Sequence, residues 1–207
     1  NDMLSRKRAV LRKRRISKAR ASGRQRTTNG LQKNLSGWSV RWWKPANDGG
    51  IFMAIEKVKA YFENLGEAAR ILTFEESTAT VELAAEALGV SSGHIAKTLS
   101  FLVDGKPLLV VLAGDARMDN HKFKMVFGKK GRMIPADDVE ALVGHAPGGV
   151  CPFAVKDGVP VYLDTSLHAY ETVYPAAGDD HSAIRMTPEE LFHFAHAAGW
   201  VDIHKEA

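Results

Sequence analysis

Residues Lys97–Ala113, KTLSFLVDGKPLLVVLA, contain the pattern that decides the fold of this chain. Two apolar runs, Lys97–Val103 and Pro107–Ala113, lie on either side of the dipeptide Asp104-Gly105. Asp-Gly between two such runs is a strong signal for a β-hairpin, because both residues tolerate the positive φ angles of a tight turn. The sequence therefore predicts an antiparallel strand pair near the middle of the chain.

Helix and strand signals alternate on both sides of this hairpin. Apolar spacing, capping residues and terminal glycines predict helices over Ile55–Leu65, Thr80–Gly89, Asn120–Phe127, Pro135–Val143 and Thr187–Gly199. Short apolar runs predict strands over Ala69–Phe74, Val159–Leu163, Glu171–Tyr174 and Ala183–Met186. Alternation favours parallel pairing, whereas the hairpin is antiparallel. We therefore expect an α/β (α+β) fold with a mixed sheet, or a partly closed barrel-like core, and peripheral helices.

The first quarter of the chain differs from the rest in charge. Residues 1–52 hold 14 of the 28 Lys and Arg but only two acids, whereas residues 53–207 carry a net charge of −8. A basic tail that binds nucleic acid and a mitochondrial transit peptide are two interpretations. A third is that residues 1–52 are upstream sequence translated in error. The codons of residues 49–52 can form a ribosome-binding site just before a start codon at Met53. In each case we expect an extension without packed structure and a single domain over residues 53–207.

Several classes of protein are excluded or disfavoured by composition and motifs. Cys151 is the only cysteine, so no intrachain disulfide can form, and no run approaches the roughly 18 apolar residues of a membrane span. We expect a cytoplasmic protein without a membrane partner. Common nucleotide, zinc and serine-hydrolase motifs are missing. His193 and His196 share a helix but have no evident third ligand, so neither a metal nor a cofactor is predicted.

Lys97 is the first candidate for a functional residue. It stands at the start of an apolar strand, in His94-Ile95-Ala96-Lys97-Thr98. A lysine at a strand end can simply extend its ammonium group into water. Alternatively, an ammonium group held at a sheet edge can bind a phosphate or a carbonyl oxygen.

The second candidate is the loop Gly144–Phe153, GHAPGGVCPF. The adjacent glycines Gly148 and Gly149 allow the backbone to approach a ligand and to turn N–H groups toward it, although Pro-Gly-Gly can also be a plain turn. His145 can serve as a base or a binding group, or lie on a surface loop. Cys151 lacks a paired base, so we interpret it as a packed thiol rather than a nucleophile.

A third feature is a local basic patch within the acidic domain. Six cations fall within sixteen residues: Arg117, Lys122, Lys124, Lys129, Lys130 and Arg132. Such a patch is either a solvated helix face or a surface for a phosphate backbone. We predict that Lys122, Lys124, Lys129 and Lys130 contact the phosphate backbone if the ligand is a nucleic acid.

These features together resemble the YbaK/ProX family, free-standing relatives of the editing domain inserted in bacterial prolyl-tRNA synthetases. The resemblance runs from about Ala68 to Ala198. It is carried by Ile95–Leu99, Leu108–Ala113, the Gly148-x-x-x-Pro152 loop, Val161–Asp164, Tyr174–Gly178 and Ser182–Ile184.

The resemblance implies hydrolysis of the ester that joins a wrong amino acid to the 3′ end of a tRNA. In such enzymes the lysine matching Lys97 holds the region of the terminal adenosine, and amides matching Gly148 and Gly149 face the ester carbonyl. The resemblance further implies substrate contacts from a set of six residues: Phe74, Thr98, His145, Pro152, Asp164 and Ala177. Aminoacyl-tRNA, of the tRNA-Pro type, and prolyl-tRNA synthetase are the expected partners.

Three positions depart from the cysteine-specific members of the family. Phe74 stands where they have a Tyr, and Ala176 and Ala183 replace Ser and Asp near their pocket. This leaves alanine, serine, threonine or a small non-protein amino acid open as the residue removed. A non-catalytic module that binds tRNA or a synthetase is the alternative function, and a hydrolase using a metal on His193 and His196 is a third.

Overall fold

The structure, a computed structural model, describes residues 54–206. Strands β2 (Ile95–Val103) and β3 (Lys106–Ala113) form the predicted antiparallel hairpin, with Val103 opposite Lys106. Asp104 and Gly105 have φ angles of 50° and 75°. Two positive φ angles in a two-residue loop match the right-handed twist of the strands, which explains why Asp-Gly stands here.

The hairpin forms the centre of a mixed sheet, as the sequence predicts. The other members are β4 (Arg132–Met133), β5 (Val161–Asp164), β6 (Tyr174–Pro175) and β8 (Gly199–Val201). The strand order is β4-β2-β3-β5-β8, and β6 also pairs with β2. Strand β4 is antiparallel to β2, whereas β5, β6 and β8 pair in parallel. A second sheet pairs β1 (Ile71–Thr73) with β7 (Ser182–Ile184). Within residues 54–206 neither sheet closes into a barrel.

The five predicted helices are present over Ala54–Asn64 (α1), Val81–Leu88 (α2), Asn120–Phe127 (α3), Ala136–Val143 (α4) and Pro188–Phe194 (α5). Their caps explain the boundaries. The Thr80 hydroxyl accepts a hydrogen bond from the Leu83 N–H, and Gly89 ends α2 with a φ of 66°. The carboxylate of Asp119 accepts from the N–H groups of His121 and Lys122 at the start of α3.

The largest difference from the prediction lies at the C-terminus. Helix α5 ends at Phe194 rather than at Gly199, and residues 199–201 form β8 beside β5. His196, at a φ of 46°, turns the chain between them. Smaller differences are Pro135, which caps α4 instead of opening it, and a 3₁₀ helix, Ala68–Arg70, in place of the start of the first predicted strand.

The core fills both faces of the β2–β3–β5 sheet. On one face, Leu109, Val111 and Leu163 are fully buried against the aromatic rings of Phe62 and Phe153, whose centroids are 5.0 Å apart. On the other face, Phe101, Val110 and Leu112 are fully buried under Phe123 of α3. The contact with Phe62 fixes the chain around Phe153, which is the end of the Gly-rich loop.

The predictions for residues 1–52, including the boundary at Met53, lie outside the described residues. Within residues 54–206, every helix is too short or too polar to cross a membrane.

Candidate functional site

The outer edge of β2 has a gap, and Lys97 lies in it. Strand β6 pairs with β2 at Ile95 and Ala96, and β4 pairs with it at Phe101 and Leu102. Between these two short strands, residues 97–99 have no strand partner on this edge within the described chain. The edge of the strand that carries Lys97 is therefore not covered by another strand at these residues.

Lys97 is held rather than free. Its side chain is half-buried, and Nζ donates a hydrogen bond of 2.9 Å to the Gly114 carbonyl and a second one to the Ala116 carbonyl. An ammonium group has three N–H donors, so one remains for a ligand. Burial lowers the pKa of Lys97, while the carboxylates of Asp115 and Glu82 oppose this shift. The interpretation of a lysine reaching into bulk water does not fit these contacts.

Thr98, the next residue, points to the opposite face of β2 because side chains alternate along a strand. Its Oγ1 atom is buried and has no hydrogen-bond partner in the described part of the chain. A buried hydroxyl without a partner costs free energy.

The turn between β6 and β7 borders the gap. Pro175 pairs with Ala96, so Ala176 and Ala177 follow directly beside the gap. Ala176 forms a bridge with Ala183, and Ala183 in turn lies opposite Leu72 of β1. These cross-strand partners share one face, and both alanines leave it small and apolar. Phe74 extends β1 past its last pair and donates its N–H to the His181 carbonyl.

The Gly-rich loop packs onto this same turn. Gly149 is buried, and a Cβ atom added to it would lie 2.6 Å from Asp179 Cα and 2.8 Å from the Gly178 oxygen. Gly148 is exposed and has a φ of 88°. The loop, the turn and the Lys97 strand are therefore neighbours in the fold, although 50 residues separate Lys97 from Gly148 in the chain.

The two glycines have different roles. The Gly149 N–H donates to the Ala146 carbonyl at 3.1 Å, so it is not free for an ester carbonyl as the sequence interpretation requires. The Gly148 N–H has no acceptor within residues 54–206. Gly149 is needed for close packing, and Gly148 presents the available amide.

The base of the loop is a buried cluster. His145 is fully buried, with Nε2 2.8 Å from the Phe153 carbonyl oxygen, and burial lowers the pKa of its imidazole. Cys151 packs beside it at 3.8 Å. Pro152 is buried as well. His145 is therefore neither a surface residue nor placed to touch a ligand. Its buried ring instead contacts the Phe153 carbonyl at the end of the loop.

Burial raises the pKa of the Cys151 thiol to about 12, and the side chain is completely inaccessible. Because the thiolate is the reactive form, we expect native protein to leave Cys151 unmodified by iodoacetamide at pH 8. In guanidinium chloride the same residue should react completely, as measured by intact mass. Rapid alkylation of the folded protein would contradict this packing.

Asp164 is not at the gap. It is fully buried at the end of β5, where its carboxylate accepts hydrogen bonds from the N–H groups of Ser166 and Ile203. The His204 imidazole lies 2.8 Å from it. All these contacts are internal, so Asp164 anchors the C-terminal segment instead of contacting a substrate. Together with Asp202, these two residues are the one group in residues 54–206 with metal-ligand spacing, and His193 and His196 do not belong to it.

The basic patch divides into paired and unpaired cations. The Lys122 ammonium is 3.0 Å from Asp202, and that of Lys129 is 3.1 Å from Asp104. Lys124 and Lys130 are exposed without an ion pair in the described chain. Lys122 and Lys129 are therefore partly neutralised, which the sequence interpretation does not anticipate.

Sequence reasoning also missed Asp115 and Tyr170. The Tyr170 hydroxyl donates to Asp115, whose neighbours hold Lys97. The only signal in the chain is that Asp115 follows the end of a predicted strand, and the position of Tyr170 is set by the tertiary fold.

This fold and this site define an aminoacyl-tRNA editing domain. The sequence profile of the aminoacyl-tRNA editing domain family matches residues 75–194, and the chain belongs to that family of deacylases. The Bacillus subtilis protein YwhH, which is uncharacterised, is 44% identical over 155 residues, covering 74% of this chain and 99% of its own.

Two further similarities bear on function. An Enterococcus faecalis protein, EbsC, provisionally named a Cys-tRNA(Pro)/Cys-tRNA(Cys) deacylase, is 32% identical over 121 residues, or 57% of this chain and 73% of its own. A crystal structure provisionally described as a trans-editing enzyme for prolyl-tRNA synthetase superposes with a TM-score of 0.68 at 29% identity. It matches 76% of this chain and all of its own. The resemblance inferred from sequence is thereby confirmed.

Proposed function

We propose that this protein is a trans-editing hydrolase that removes a mischarged small amino acid from tRNA. The single observation that carries the proposal is the placement of Lys97 in the β2 gap, beside the turn onto which the Gly-rich loop packs. A cation and a free backbone amide then border one opening. EbsC is named for deacylation of Cys-tRNA(Pro) and Cys-tRNA(Cys), and the matched crystal structure is described as a trans-editing enzyme for prolyl-tRNA synthetase. These two names support the choice of a tRNA-Pro type substrate.

The site has to supply only a moderate rate acceleration, because an aminoacyl ester is already activated toward hydrolysis. In our proposal the remaining Lys97 N–H binds the phosphate or ribose of the tRNA 3′ end. The Gly148 amide faces the ester carbonyl, where one donor to the developing oxyanion supplies about 10²–10³-fold in rate. Water held in line by substrate hydroxyls or backbone groups attacks the carbonyl carbon. The ester C–O bond then breaks, and the tRNA 3′ oxygen takes the proton.

The apolar character of the proposed substrate surface follows from the two alanines. Ala176 and Ala183 bridge each other beside the gap, and neither offers a polar group. We propose that this surface receives alanine, serine, threonine or a small non-protein amino acid and disfavours cysteine-specific contacts. One methylene is worth only about 1–3 kcal/mol, so we expect modest discrimination among these small side chains.

A panel of mischarged tRNAs tests the proposal. Purified full-length protein is incubated with tRNA-Pro carrying alanine, serine, threonine, cysteine or 2-aminobutyrate, and with correctly charged prolyl-tRNA. We expect release of at least one small amino acid and none of proline. Folded protein that hydrolyses none of them refutes the proposal. Salt-sensitive tRNA binding without hydrolysis would instead indicate the non-catalytic module, and added prolyl-tRNA synthetase tests that partner.

The unpaired lysines should dominate tRNA binding. We expect Lys124→Glu together with Lys130→Glu to weaken binding of uncharged tRNA about tenfold at physiological salt. The slope of log Kd against log salt should fall by about two, since each lost phosphate contact removes about one unit. Lys122→Gln is the matched comparison, because its charge is already paired with Asp202, and it should weaken binding less than twofold. Equal effects of both changes, measured by filter binding, would contradict the division of the patch.

A further inference from the structure

Lys97 is hydrogen-bonded to the turn that follows β3, and Tyr170 contacts the same turn. Its Nζ donates to the carbonyls of Gly114 and Ala116. Asp115 lies between these two residues, and its Oδ2 accepts a hydrogen bond of 2.5 Å from the Tyr170 hydroxyl. A hydrogen bond to an ionised carboxylate is among the shorter and stronger kinds.

The segments beside this solvent-exposed contact approach one another closely. A Cβ atom on Gly93 would lie 1.8 Å from the Tyr170 oxygen, and one on Gly114 would lie 2.1 Å from the Ser92 carbonyl oxygen. Because Gly93 and Gly114 have no side chain, the short 3₁₀ helix Ser92–His94 packs directly against the turn and against Tyr170. The ring of His94 covers the Tyr170 ring, with centroids 4.9 Å apart.

Tyr170 keeps its proton over the physiological range. The hydrogen bond to Asp115 and burial raise the pKa of its hydroxyl to about 12. The Tyr170 hydroxyl is thus a neutral hydrogen-bond donor to the Asp115 carboxylate, and it does not act as a base. Its contacts point to holding the turn rather than to chemistry on a substrate.

We infer that Tyr170 and Asp115 are positioning residues for Lys97. The inference rests on the function proposed above. Tyr170 fixes the Asp115 carboxylate, the fixed turn presents its two flanking carbonyls, and these carbonyls hold the Lys97 ammonium with one N–H directed to the substrate. Without the Tyr170 hydroxyl the turn loosens, and the ammonium samples positions that do not serve the tRNA 3′ end. Misplacement by about 1 Å is enough to cost a large factor in rate.

The charges around Lys97 are compatible with this arrangement. Asp115 and Glu82 favour its ammonium form, and Arg117 opposes it. Asp115 therefore acts on Lys97 both by geometry and by charge. Replacing Asp115 with Asn keeps the shape of the side chain and removes the charge, whereas replacing Tyr170 with Phe keeps the charge and removes the donor.

The test compares Tyr170→Phe, Asp115→Asn and the double variant with wild type. Tyr162→Phe is the matched control, since Tyr162 packs against Phe127 and its hydroxyl has no side-chain hydrogen bond within residues 54–206. Thermal melting first establishes that each variant is folded. The first measurement is the rate of reductive methylation of Lys97 against pH, by peptide mass spectrometry with exposed Lys106 as internal reference.

We expect Lys97 to be methylated several-fold faster in Tyr170→Phe and in Asp115→Asn, and no faster in the double variant than in Asp115→Asn. The pH midpoint of Lys97 should also fall in Asp115→Asn, because removing a nearby negative charge disfavours the ammonium form. Tyr162→Phe should behave as wild type. Unchanged Lys97 reactivity in folded Tyr170→Phe, or additive effects in the double variant, overturns the inference.

The second measurement separates this inference from the proposed function. For a tRNA that the wild type deacylates, we expect Tyr170→Phe to lower the single-turnover rate at saturating protein about tenfold. The Kd for uncharged tRNA should change less than twofold, because the distant lysines set it. Wild-type protein that deacylates no tRNA refutes the proposed function alone, and the methylation rates still decide whether Tyr170 holds Lys97.

Discussion

Lys97→Ala is expected to lower the rate of deacylation at least 100-fold, which corresponds to about 2.7 kcal/mol of transition-state stabilisation. The substitution removes the ammonium group that is held by the turn after β3 and leaves the apolar strand intact. Residues 97–99, which have no strand partner on this edge, include no second lysine.

The same change should have a small effect on stability. Lys97 is half-buried, and its loss leaves the carbonyls of Gly114 and Ala116 without this donor. Hydrogen bonds of this kind contribute about 1 kcal/mol each. We expect a decrease of about 1–2 kcal/mol in the free energy of unfolding, measured by urea denaturation.

Lys106→Ala is the control for Lys97→Ala. Lys106 lies on the same hairpin, is exposed, and is remote from the gap at the turn end of β3. It should retain wild-type activity and stability. Wild-type deacylation by folded Lys97→Ala would refute the role of this lysine, and an equal loss in Lys106→Ala would indicate a general effect of charge.

Gly149→Ala is expected to abolish deacylation and to destabilise the protein by about 2–3 kcal/mol. The added Cβ would meet Asp179 Cα at 2.6 Å and the Gly178 oxygen at 2.8 Å, and both are backbone atoms. Backbone cannot move aside as a flexible side chain can, so the loop has to separate from the turn. Overpacking of this kind typically costs about 1–3 kcal/mol. Separation would also move the Gly148 amide away from the gap.

Gly148→Ala is the matched comparison one residue earlier. Its Cβ would lie 3.8 Å from the nearest atoms, so there is no clash. An alanine at a φ of 88° is strained, so we expect Gly148→Ala to lower the free energy of unfolding by about 1–2 kcal/mol. We expect Gly149→Ala to show the lower midpoint in urea and the greater loss of activity. The reverse order would contradict the packing of the loop on the turn.

Local chemistry accounts for the parts of this protein that the sequence predicts well. Asp104-Gly105 requires positive φ angles, Thr80 and Asp119 cap their helices, and Gly89 and Gly128 end helices α2 and α3. These effects act within a few residues, so they can be read in the chain before it folds. The hairpin and the five helices follow from them, whereas the resemblance that indicated an editing domain is carried by short motifs such as the Gly148-x-x-x-Pro152 loop.

The tertiary structure decided what depends on contacts between distant segments. Gly199–Val201 becomes a strand because Tyr162–Asp164 offers it a partner, not because of its own residues. Asp164 and His145, which look functional in the sequence, are enclosed by the packing of loops onto the sheet. Lys97 changes from a lysine at a strand end to an anchored ammonium because the turn after β3 closes over it. Burial and anchoring are properties of neighbours in space, and the sequence does not specify which neighbours those are.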